Sequence, residues 1–135
     1  MKNASAPSKF KKVLVIDDDE LDIYVSKRII KNSSFADVVI TTTTVKDAMD
    51  YLMHNSTLNA LPDFIFLDLN MPEQNGLDFL EAFADFAKEK NVNCTIALLM
   101  NVVQTENTIT KKAKSHPLVK YVFEKPLTEE MLKRI

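Results

Sequence analysis

The segment VLVIDDDE sets three acids, Asp17, Asp18 and Asp19, directly behind an apolar run. A second apolar run, FIFL, ends in another acid, Asp68, and a third segment, VFEKP, carries Lys125. An ionised carboxylate at the end of a buried stretch is costly unless a cation or several donors meet it. Gathered together, such acids raise one another's pKa unless a cation sits among them. Mg2+, or Mn2+, suits the set. A hard ion takes two or three carboxylates plus a backbone carbonyl and leaves positions for water or phosphate oxygens. An aspartate beside it can attack phosphorus through a carboxylate oxygen and form an acyl phosphate. With the metal and a lysine offsetting charge on the transferring group, little further acid–base machinery is required. Lysine brings a mobile point charge on a long stem.

The elements around these residues decide whether they can meet. Apolar runs at Val13 to Ile16, Val38 to Thr42, Phe64 to Leu67, Ile96 to Leu99 and Val119 to Phe123 read as strands. They mostly lack polar alternation, as strands do when helices cover both faces of a parallel sheet. Between them, Glu20 to Lys31, Val45 to His54 and Leu77 to Lys90 carry apolar stripes of helical period. Thr105 to Ser115 is a weaker helical segment stopped by His116 and Pro117, and Thr128 with Glu129 and Glu130 opens a last helix. Strand and helix alternate five times, which predicts right-handed crossovers and a doubly wound α/β fold with a five-stranded parallel sheet. In such sheets the working crevice lies at the carboxyl ends of the strands, where all the acids above and Lys125 fall.

Composition narrows the class. With 135 residues, 46% of them hydrophobic, the chain is sized for one core. Residues 1 to 9 are small, polar and Pro-containing and are expected to form a flexible tail, leaving 10 to 135 as the domain. A formal charge of −2 lacks the basic footprint of a nucleic-acid binder. Apolar runs fall short of the roughly 20 residues needed to cross a bilayer, so neither nucleic acid nor membrane is an expected partner. One cysteine, Cys94, builds no internal disulfide framework, and a reducing cytoplasm is the expected location.

Taken together, these residues resemble the response-regulator receiver domain, the phosphoacceptor unit of two-component signalling, from about Lys11 onward. The resemblance implies a flavodoxin-like sheet of order 2-1-3-4-5, with the first and third strands side by side. It implies that Asp68 is the phosphoacceptor, that Asp17 and Asp18 are the acidic pair, and that the main-chain carbonyl of Asn70 completes the Mg2+ set. Lys125 then contacts the phosphoryl group, Pro72 and Gly76 shape the LNMPEQNG loop, and Pro126 is a candidate for a cis peptide bond. Two positions depart from the family pattern. Met100 stands where a Ser or Thr hydroxyl usually meets the phosphoryl oxygen, and Val122 stands where a Tyr or Phe usually changes rotamer with it. The switch positions are therefore degenerate, while the acids and lysine that phosphorylation needs are present. Tyr121, one residue along a strand, faces the opposite side.

Simpler readings exist for each residue. An acidic run often caps a helix, and Asp19 or Glu20 can serve the first helix in this way. Asp68 alone could be a turn residue and Lys125 a surface charge. Only their joint placement at strand ends argues for a site. Cys94 reads as a small buried hydrophobe, Phe79, Phe83 and Phe86 as packing residues, and Lys111, Lys112, Lys114 and Lys120 as a solvated face.

Three functions compete. The first is a receiver that takes phosphate from a histidine kinase or histidine phosphotransfer protein onto Asp68 and signals by binding a downstream protein. No further domain has room to follow Ile135, so a single-domain regulator is expected. The second is a pseudo-receiver that docks without switching. The third is a haloacid-dehalogenase-type phosphatase, which expects a general acid two residues after the nucleophile, where this chain has Asn70. A self-phosphorylating acceptor, rather than a turnover enzyme, fits the residues best.

Overall fold

The computed structural model describes residues 7–58, 60–101 and 107–135. Residues 1–6 of the expected tail, and Val102 to Glu106 beyond the fourth strand, lie outside them. Strands and helices alternate as β1 (Phe10–Ile16), α1 (Glu20–Asn32), β2 (Ala36–Thr42), α2 (Val45–Thr57) and β3 (Phe64–Asp68). The order continues through α3 (Gly76–Lys90), β4 (Thr95–Met100), α4 (Thr108–Lys114), β5 (Val119–Glu124) and α5 (Glu129–Lys133). The five strands form one parallel sheet in the order β2-β1-β3-β4-β5. The doubly wound α/β fold and the strand order are thus as the sequence led us to expect.

β1 begins at Phe10, three residues before the apolar run starts. Its first turnless stretch is held by Asp63, whose Oδ2 accepts from the backbone N–H groups of Lys11 and Lys12 at 3.1 Å each. The predicted fourth helix started at Thr105. Of that segment Thr105 and Glu106 lie outside the described residues, and α4 starts at Thr108, where the Asn107 side chain accepts from Thr110 N as N-cap.

Alternation along the strands sends side chains into two core layers. Phe35, Phe64 and Phe66 form the layer under α1 and α5, and Phe64 meets Phe35 edge to face at 5.5 Å between centroids. Ile65, Leu67, Phe79, Phe83 and Leu98 form the layer under α2, α3 and α4. β3 is buried at every position, Asp68 included. None of the helices among the described residues is long and apolar enough to cross a membrane.

Candidate functional site

Sheet register brings the acids together. Ile16 pairs with Leu67 across β1 and β3, so Asp17 and Asp68, each the next residue, leave the sheet side by side. β4 is the next strand, and Lys125 is tied to its end because Lys125 N donates to Met100 O at 2.7 Å. The Lys125–Pro126 peptide bond is cis. Beyond Asp17 the chain turns at once into α1. Asp19 is the N-cap, its Oδ1 accepting from Leu21 N at 2.8 Å and Asp22 N at 3.1 Å. That role takes Asp19 out of the acid cluster and leaves Asp17 and Asp18.

On the far side, the chain after Asp68 is pinned by the single glycine. Gly76 N donates to Leu69 O at 2.9 Å. A Cβ at this position would stand 2.9 Å from Leu69 Cα and 3.0 Å from Asp68 O. Asn75 and Asp78 then close a reciprocal capping box that starts α3. The loop between Asp68 and Asn75 holds Glu73 at φ 65, in the left-handed region.

Carboxylate oxygens of Asp17, Asp18 and Asp68 lie within 4.8 Å of one another. Asp17 and Asp68 are buried and Asp18 is exposed. The Lys125 ammonium stands 2.8 Å from Asp17 Oδ2, 2.9 Å from Asp22 Oδ2 and 3.3 Å from Asp68 Oδ1. Asp68 Oδ1 also accepts from Asn70 N at 3.2 Å, and Asp17 Oδ1 accepts from Asp19 N at 3.0 Å. These contacts explain how an acid can end a buried strand: a cation and a backbone donor meet it. They do not fully neutralise it. Burial first, and the Asp17 charge second, push the Asp68 carboxyl up to about 7 against the opposing pull of Lys125 and the Asn70 N–H. Burial alone would lower the Lys125 ammonium, but its contacts with Asp17 and Asp22 and the charge of Asp68 outweigh that and raise it.

One oxygen tests the fit of a divalent cation. Asp17 Oδ2 is buried and faces Lys125 as an ion pair, yet has no properly directed hydrogen bond among the described residues. A buried anionic oxygen of this kind, next to two further carboxylates, is a hard-donor set of the sort Mg2+ takes. Asn70, whose carbonyl was expected to join the set, is exposed two residues beyond Asp68.

Met100 and Val122, the expected switch positions, occupy distinct environments. Met100 is 6% exposed and packs into the core layer under α3 and α4. Val122 is 40% exposed, whereas Tyr121 lies on the other face against Phe123 and Phe64 at 5.9 and 6.3 Å. Cys94 precedes β4, half-buried, with its thiol pushed up to about 12 by burial and by Asp63. Asp22 is the site residue that sequence reasoning missed. The available signal was its place in the first turn of the helix that follows the acidic run.

Comparisons with known proteins agree with this fold. The model of the response regulator receiver domain matches residues 13–135, and the chain belongs to that family. It is 26% identical over 125 residues to the transcriptional regulatory protein CitT of Halalkalibacterium halodurans, covering 93% of this chain and 50% of that protein. The chain therefore spans about half the length of that curated relative. A two-component response regulator from Cytophaga hutchinsonii superposes with a TM-score of 0.82 at 25% identity, over 93% of each chain. One from Legionella pneumophila gives 0.73 at 25% identity, over 92% of this chain and 93% of that one. Receiver domains are signalling modules that work with histidine kinases or phosphotransfer proteins, and they bind Mg2+ at an acidic cluster.

Proposed function

We propose that this domain accepts a phosphoryl group from a phosphohistidine donor onto Asp68 and signals by binding a downstream protein. The observation that carries the reading is the meeting of Asp17, Asp18 and Asp68 within 4.8 Å, with Lys125 Nζ 3.3 Å from Asp68 Oδ1. Oδ1 is engaged by Asn70 N and Lys125, which supports Oδ2 as the attacking oxygen. That oxygen forms a bond to phosphorus as the phosphorus–nitrogen bond of the donor breaks, and the imidazole leaves with the bonding electron pair. Asp17, Asp18, Asp68 and the Asn70 carbonyl would hold Mg2+, which when bound offsets the charge of the phosphoryl oxygens. Lys125 contributes the same kind of stabilisation from the protein itself.

A docking module without switching is the second reading, favoured by one observation. The hydroxyl that usually meets the phosphoryl oxygen is replaced by the buried Met100, and the usual aromatic partner by Val122. The phosphatase reading loses its general acid, because Asn70 has no carboxyl group.

Intact-mass measurement after incubation with acetyl phosphate and Mg2+ separates the two live readings. The expected result is a gain of one phosphoryl group, absent in Asp68→Asn and absent when the cation is chelated. No gain in the unmodified protein would favour the docking module.

A further inference from the structure

Lys125 has three N–H groups, and three carboxylates surround it. Its ammonium lies nearer Asp17 and Asp22 than the acceptor, at 2.8 and 2.9 Å against 3.3 Å. Asp17 is fixed at a strand end, buried, with its Oδ1 held by Asp19 N. Asp22 rides on the first turn of α1, its side chain 34% exposed, and accepts a hydrogen bond from Lys125 Nζ. We infer that Asp22 is a positioning residue that restrains the Lys125 ammonium on the α1 side of the site and so weakens its grip on a phosphoryl group at Asp68. The inference rests on the reading of Asp68 as the phosphoacceptor.

The physical reason is competition for one cation. A phosphoryl group brings about two negative charges and strong acceptor oxygens. Lys125 can turn an N–H toward those oxygens only by loosening a contact it now makes, and Asp22 is the partner not locked in the core. The Asp22 charge also repels the arriving anion. Removing it, while keeping the side-chain shape, leaves the ammonium to Asp17 and the acceptor. No buried charge is orphaned, because Lys125 retains two carboxylates.

An acid in the first turn also stabilises a helix through the positive end of its dipole. That role is separable. It predicts a change in unfolding only, whereas restraint of Lys125 predicts a change in affinity for a phosphoryl mimic.

The test is titration calorimetry of beryllofluoride with Mg2+ present. Asp22→Asn is expected to bind it about fivefold more tightly than the unmodified protein, the scale of one partly exposed ion pair. Asp22→Ser, which removes the charge with a different shape, is expected to move affinity the same way. Asp22→Glu, which restores the charge, is expected to stay within about twofold of the unmodified protein. Unchanged or weaker binding by the Asn and Ser variants overturns the inference, as does a Glu variant that behaves like Asn. Should the unmodified protein bind no beryllofluoride, the phosphoacceptor reading itself fails, and this inference with it.

Discussion

Burial and the Asp17 charge shift Asp68 toward its neutral form, and that has a consequence for stability. An unfolded aspartate loses its proton near pH ~4, while the folded carboxyl keeps it up to about 7 because of burial and the neighbouring Asp17. Between these values the folded state binds more protons, so stability falls as pH rises through the interval and stays lower above it. Asp68→Asn removes the liability. Without divalent cations at about pH 8, urea unfolding is expected to show it more stable than the unmodified protein by about 1 to 3 kcal/mol, the gap closing toward pH ~4. An equal gap at both pH values would contradict the electrostatic account. That Asp17, Asp18, Asp68 and Lys125 meet was legible in the sequence because they fall at or just beyond strand ends. Asp22 was harder to read: its place in the first turn of α1 hints at a site, but its partner lies 103 positions away.

Gly76 shows how an element holds Asp68 in place. It opens α3, where alanine would ordinarily be the better helix former. The missing Cβ decides otherwise, since it would press on the backbone at Leu69 Cα and Asp68 O, at 2.9 and 3.0 Å, rather than on a movable side chain. Gly76→Ala is therefore expected to lower stability by about 1 to 3 kcal/mol in urea unfolding, and to reduce phosphoryl uptake by shifting Asp68. Stability and uptake both equal to those of the unmodified protein would refute this. The apolar centres of strands and helices were readable from period, whereas their ends were set by partners the period does not reveal. β1 reaches back to Phe10 because its pairing with β2 begins there, Phe10 N donating to Phe35 O at 2.9 Å, and the start of α4 is fixed by the Asn107 cap.

The whole sheet turns residues distant in sequence into one pocket. Apolar runs without alternation, separated by helical stripes, allow few arrangements once crossovers are right-handed. The order β2-β1-β3-β4-β5 sets Asp17 beside Asp68 and carries Lys125 across from the neighbouring edge. Met100 and Val122, the expected switch positions, carry neither a hydroxyl nor an aromatic ring, so coupling from that pocket to the rest of the molecule is not legible in them. Chemistry at the pocket can be located directly. After incubation with acetyl phosphate and Mg2+, borohydride reduction of the acyl phosphate converts the modified aspartate to homoserine, and peptide mass spectrometry finds its position. Homoserine at position 68, with Asp17, Asp18 and Asp22 unmodified, is the predicted result; homoserine at another position, or none after phosphoryl uptake, would contradict it.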